Sequence, residues 1–178
     1  MTYQYIGESL GKTVAAALST LNPVARPSLA VRREVLRAPL ATFSEMDLAW
    51  AKNADRGKVS FLQGVRAGRI LSLAEMRKSG DTTPVEVQAI RLGDDTALVA
   101  MPGEMFVELG LAIKKASPFR NTLVVELSGS GHIGYVPTRK AFVEGDYEVV
   151  NSRLESGGGE LMADAAIRLL KDLKAELH

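Results

Sequence analysis

The chain contains no cysteine and only two histidines among its 178 residues. Without cysteine, disulfides, thiolate metal sites and cysteine nucleophiles are all excluded, while the compartment stays open. A histidine-based metal site or a Ser-His-Asp triad built within this sequence must use His132, because the other histidine is the terminal His178. Net charge is also scarce, with 22 Lys and Arg against 21 Asp and Glu. Together with a 46% apolar composition, this balance excludes a disordered chain and a nucleic-acid binder that relies on a strongly basic surface. No stretch approaches the roughly 18 consecutive apolar residues of a transmembrane segment. The N-terminus lacks the basic, apolar and small-residue order of a signal peptide. Internal repeats, low-complexity tracts and obvious linkers are missing too.

What is present reads as mixed α/β. At about 150 residues per domain the length predicts a single domain over residues 1–178. Ile6, Leu10, Val14, Leu18 and Leu21 recur at spacings of three and four, which predicts an amphipathic helix over 4–21 ended by Asn22-Pro23. The opening Thr2–Glu8 runs straight into this pattern, so upstream sequence is expected. Residues 28–37 read as an exposed strand. Thr42 or Ser44 caps a helix through Asn53, and Val59, Leu62, Val65, Ile70, Leu73 and Met76 mark another that ends before Gly80.

The alternation of Val85, Val87 and Ala89 with Glu86 and Gln88, followed by Gly93-Asp94-Asp95 and the apolar run 97–101, predicts a β-hairpin. Pro102-Gly103-Glu104 is expected to open a helix with Met105, Phe106, Leu109, Ala112 and Ile113 facing inward. Leu123–Leu127 reads as a buried central strand. A last helix from about Glu160 carries Met162, Ala166, Leu169, Leu170, Leu173 and Leu177, with Ser156–Gly159 setting up its start. The expected architecture is one mixed sheet containing a hairpin, packed by amphipathic helices around one core.

Charge is uneven: residues 1–80 hold 12 basic and 6 acidic side chains, and residues 81–178 hold 10 and 15. The halves are expected to attract each other. Arg32, Arg33, Arg37, Arg66, Arg69, Arg77 and Lys78 lack the dense clustering of an anion or membrane patch, and ordinary solvated faces are the favoured reading.

Three segments at strand ends carry the chemistry-bearing residues. Glu104, in the expected first turn of a helix, reads first as a charge complementing the helix dipole. The loop Ser128–Tyr135 packs glycines, serines, His132 and Tyr135 into eight residues, yet it matches neither the Walker pattern nor the dinucleotide fingerprint, so nucleotide binding is disfavoured. Glu144-Gly145-Asp146-Tyr147-Glu148 reads as an acidic exposed turn.

In order, Pro102-Gly103-Glu104 after a strand, Gly134-Tyr135-Val136-Pro137-Thr138-Arg139 about thirty residues later, and Tyr147-Glu148 resemble the neutral/alkaline non-lysosomal ceramidase family, most strongly over Val85–Glu148. Members of that family are zinc amidohydrolases that cleave N-acyl sphingoid bases. The resemblance implies Glu104 and Tyr135 as zinc ligands, Tyr147 as the residue that hydrogen-bonds the reacting oxygen, and Ser130, Gly131 and His132 as substrate contacts, with His132 standing where many members have tyrosine. Such a zinc polarises the amide carbonyl and lowers the pKa of a bound water to about 7.

The family's histidine ligands and active-site serine lie N-terminal to everything present here, and its longer members add a C-terminal β-sandwich. The resemblance therefore implies the C-terminal part of a catalytic domain with an incomplete zinc site, inactive alone. Its expected partners are the upstream half and a lipid-amide substrate, with self-association through surface left exposed and an extracytoplasmic location. Two alternatives remain: a non-catalytic binding or scaffold domain that retains the fold, and a metal-independent acid–base pair of His132 and Glu104.

Overall fold

The computed structural model describes residues 2–24, 26–55, 57–129 and 133–177. Its centre is a four-stranded mixed sheet in which the strands 29–39, 82–92, 96–100 and 121–125 lie side by side in that order. The strands β1 (Leu29–Pro39) and β2 (Thr82–Leu92) run antiparallel over their whole lengths, from Leu29 opposite Leu92 to Pro39 opposite Thr82. β3 (Thr96–Ala100) returns as the second arm of the expected hairpin, with Leu92 opposite Thr96. The turn needs Gly93, whose φ of +76° would strain any other residue and whose missing Cβ would lie 2.9 Å from the Arg26 carbonyl oxygen.

From β3 the chain crosses through the helix α4 (Val107–Ala116) to β5 (Asn121–Val125), which pairs with β3 in parallel. β5 is thus an edge strand rather than a central one, and Leu123 and Val125 are exposed. Of its apolar run only Val124 packs, half-buried, against the core.

One face of the sheet is covered by the last helix, α7 (Gly158–Ala175), with α4 beside it. Met162, Ala166, Leu169, Leu170 and Leu173 of α7 are buried against Val85, Val87, Ala89, Ala97 and Val99. Their spacing of three and four aligns one helix stripe with one strand face. Leu177 lies beyond the helix and is partly exposed. Gly157, at φ +97°, turns the chain into α7, so the glycine run does set up the helix start. On the opposite sheet face, register aligns Val31, Ile90, Leu98 and Leu123 in one row. Val31 and Leu123 are 46% and 50% exposed, which leaves this face open among the described residues.

A helical layer lies beside the sheet. α2 (Glu45–Asn53) and α3 (Phe61–Met76) each begin with a capping box, Ser44 with Asp47 and Ser60 with Gln63, so two otherwise free backbone donors are satisfied at each start. They pack through Ala51, Ala67 and Ile70. By contrast α1 (Tyr3–Ala17) buries none of its residues: Ile6, Leu10 and Val14, like Leu18 just beyond it, remain more than half exposed. Its periodicity makes the helix without supplying a described surface to cover it.

The charge asymmetry finds its expected outlet across the two halves. Arg26 meets Asp94, Arg32 meets Glu176 and Arg33 meets Glu86. Such exposed pairs contribute little individually, on the order of 0–1 kcal/mol.

Candidate functional site

Glu104 does not stand in the expected first turn of a helix but in the two-residue strand β4 (Glu104–Met105), and α4 starts three residues later with Glu108 as its first-turn acid. The reason is long-range backbone pairing. Glu104 N–H donates to the Gly134 carbonyl at 2.9 Å and Phe106 N–H to the Val136 carbonyl at 3.2 Å, so the segment is held extended. On its other side Leu127 N–H reaches the Gly103 carbonyl at 3.2 Å. With the helix beginning late, Phe106 becomes its N-cap and Ala112 falls on the exposed side, so only Leu109 and Ile113 of the expected inward face are buried within α4.

β4 pairs in parallel with β6 (Tyr135–Val136), with Glu104 directly opposite Tyr135 and Met105 opposite Val136. Paired residues on adjacent strands lie about 4.8 Å apart and point to the same face. Met105 and Val136 are buried, whereas Glu104 and Tyr135 share the half-exposed side. The close approach requires Gly103, since a Cβ there would lie 2.6 Å from the Gly134 carbonyl oxygen and 2.7 Å from Val136 Cγ2.

Electrostatics follow from that pairing. The Glu104 carboxylate holds the Tyr135 phenol above its ordinary pKa, with partial burial and a hydrogen bond to Glu104 acting in the same direction. A second acid, Glu126, belongs to the same group. Partial burial and the Glu104 charge raise its carboxyl, against the pull of the Met105 N–H. Sequence reasoning missed Glu126; its one signal was an acid immediately after a strand that ends beside β4.

The third expected site residue joins them. The acidic segment 144–148 is not a simple exposed turn, because a short helix α5 (Arg139–Glu144) precedes it and α6 (Tyr147–Asn151) begins within it. Asp146 caps α6 by accepting from Tyr147 N–H at 2.8 Å, and does so at φ +81°, which non-glycine residues rarely adopt. The Tyr147 ring meets Tyr135 edge-on, with centroids 5.7 Å apart and planes at 72°. On its other side Tyr147 stacks on Phe61 at 5.7 Å and 17°. The structure therefore brings Glu104, Tyr135 and Tyr147 together and adds Phe61 from α3. Ser130, Gly131 and His132 lie outside the described residues, as does the proposed pairing of His132 with Glu104.

Beside Phe61 opens a cleft of about 490 Å³ between α3 and the segment after α6, lined by residues that include Val59, Val65, Arg69 and Arg153. Arg153 is held there by donating from Nη1 to the Ile133 carbonyl at 3.4 Å and from Nε to Ser72 Oγ at 3.1 Å. Among the described residues no three His, Asp or Glu side chains gather as a metal cage.

No family model and no curated protein matches the chain. Solved structures do. A ceramidase complexed with C2 superposes with a TM-score of 0.53 and 14% identity, over 84% of this chain and 30% of that one. A neutral ceramidase from Pseudomonas aeruginosa gives 0.54 and 16%, over 84% of this chain and 29% of its own. The chain has a ceramidase-like fold and spans less than a third of the ceramidases that it matches.

Proposed function

We propose that this chain is the C-terminal part of a ceramidase-like zinc amidohydrolase, acting on N-acyl amide bonds once the upstream part of the catalytic domain is supplied. The observation that carries this reading is the parallel β4–β6 ladder. It sets a carboxylate opposite a phenol, with Tyr147 against that phenol, inside a ceramidase-like fold.

The donor chemistry fits half of a zinc site. Tetrahedral zinc takes four donors, of which Glu104 and Tyr135 offer two oxygens; the others belong to the upstream part. When bound, zinc supplies Lewis-acid polarisation of the amide carbonyl. The chain's own residues orient and donate. Glu104 fixes the Tyr135 hydroxyl, and Tyr147 directs its O–H toward the oxygen that gains charge, an interaction strongest in the transition state. Phe61 limits where the Tyr147 ring can go.

The open sheet face and the uncovered stripe of α1 are the surfaces on which the upstream part would pack. Ceramide, other lipid amides and unrelated amides are all compatible with the residues present. The test is complementation: the chain is combined with the upstream half of a neutral ceramidase and assayed with zinc on short-chain N-acyl amides. Hydrolysis lost in Glu104→Gln and Tyr147→Phe supports the hydrolase. A folded, complete but inert complex supports a binding domain that retains the fold. Alone, the chain is expected to hold zinc more weakly than micromolar, since two oxygens are a poor zinc set; submicromolar binding with turnover would refute the incomplete site.

A further inference from the structure

The cleft beside Phe61 has a composition that the hydrolase reading does not use. Its apolar walls are Val59, Phe61 and Val65, and two arginines, Arg69 and Arg153, line it as well. Neither guanidinium has a carboxylate within 4.0 Å among the described residues, although eleven ion pairs occur elsewhere. Asp47, the acid nearest to hand, is engaged by Arg66 at 2.6 Å. Instead both arginines are anchored by neutral groups. Arg69 Nη1 donates to the Ser152 carbonyl at 3.2 Å, while Arg153 uses Ser72 and the Ile133 carbonyl.

Donors are left over. Arg69 Nε is buried with no acceptor, and Nη2 of Arg153 has none among the described residues. A buried guanidinium N–H without an acceptor is costly, and two cations sharing one cleft raise that cost. Burial and the neighbouring Arg66 hold Arg69 below its ordinary pKa, and the Asp47 charge offsets them only in part. An anion entering the cleft would balance the charge and accept from Nη2 of Arg153, whereas the buried Nε of Arg69 stays out of its reach.

We propose that the α3–α6 cleft binds a carboxylate carried on a short apolar chain, the carboxylate on Arg69 and Arg153 and the chain along Val59, Phe61 and Val65. The planar fork of arginine matches the two oxygens of a carboxylate. A volume of about 490 Å³ suits a small organic acid. Gly64 keeps the cleft open, since a Cβ there would meet nothing within 4 Å. Through Phe61 and Tyr147 the cleft adjoins the Glu104–Tyr135 pair. The proposal goes beyond the hydrolase reading and does not depend on it, because binding by the chain alone requires neither zinc nor an upstream half.

The test is titration of the full chain with sodium octanoate, followed by calorimetry and by amide NMR shifts, with octan-1-ol and octylamine as uncharged and cationic counterparts. Saturable octanoate binding is expected with a Kd of roughly 1 mM or tighter, with shifts confined to residues 59–69 and 151–153. Arg69→Gln and Arg153→Gln should each weaken it about tenfold or more. Gly64→Leu fills the cleft while leaving both arginines in place, and should abolish binding even if an arginine variant fails to fold. Arg37→Gln, which removes an equal charge on β1 outside the cleft lining, should leave the affinity within about twofold. The proposal is overturned if octan-1-ol binds as well as octanoate, if folded Arg153→Gln and Gly64→Leu bind octanoate like the parent chain, or if no saturation occurs. Failure here leaves the complementation result untouched, and the reverse holds equally.

Discussion

Glu104 and Tyr135 stand opposite each other in a parallel ladder only two residues long, and the charge of the first sets the acidity of the second. In the metal-free chain the phenol is therefore expected to titrate above the ordinary value of about 10. Subtracting the phenolate absorbance titration of Tyr135→Phe isolates this group, and Glu104→Gln should move it down. The folded pKa is raised, so the fold favours the protonated phenol. Its contribution is fully present below about pH 10 and is lost as pH rises through the folded value. Tyr135→Phe should flatten that alkaline decline in melting temperature; an unchanged slope would count against the pairing.

Glu126 offers a second pH-dependent readout. Its folded pKa is raised, so its contribution is present below about pH 4.5 and is lost as pH rises through the folded value. Glu126→Gln should then stabilise the chain at neutral pH, by no more than about 0.5 kcal/mol because the residue is exposed. Urea midpoints at neutral and acidic pH check the sign, since the gain should vanish in acid.

Gly103 permits the ladder to form. Its missing Cβ would collide with the Gly134 carbonyl, Val136 and Ile133 at once, and a backbone oxygen cannot swing aside. Gly103→Ala is expected to destabilise by about 1–3 kcal/mol through overpacking, and to shift the Tyr135 and Tyr147 ring resonances. Equal stability in a urea titration would show that the two strands can separate freely.

Leu170 is fully buried between α7 and the sheet. Leu170→Ala should cost about 2–5 kcal/mol, the range for a leucine truncated in a packed core. A loss below about 1 kcal/mol by chemical denaturation would mean that α7 is not seated as described.

Deleting residues 2–21 tests the opposite extreme. With no buried residue in α1, the remaining chain should keep its stability within about 0.5 kcal/mol, and it should self-associate less, because an exposed apolar stripe has been removed. Sedimentation velocity and thermal melts together decide this. A large drop in melting temperature would reveal packing by α1 on the rest of the chain.

Local patterns determined most elements. The stripes of α3 and α7, the hairpin of β2 and β3 and the cap at Ser44, one of two candidates, were legible because each depends on residues within one or two turns of chain. Glu104, Tyr135 and Tyr147 were legible as candidates only through motif order. That order showed neither that Glu104 lies in a strand nor that Asp146 would adopt a positive φ to launch a helix.

The sequence by itself determined most of the longer helices and strands and which side chains bear chemistry, since hydrophobic period and capping act over a few residues. Tertiary structure alone decided that Glu104 meets Tyr135, that β5 lies at an edge, that Tyr147 sits between Tyr135 and Phe61, and that Arg69 and Arg153 share one cleft. Those relations join positions tens of residues apart, and they are settled by backbone pairing and packing that no local pattern encodes.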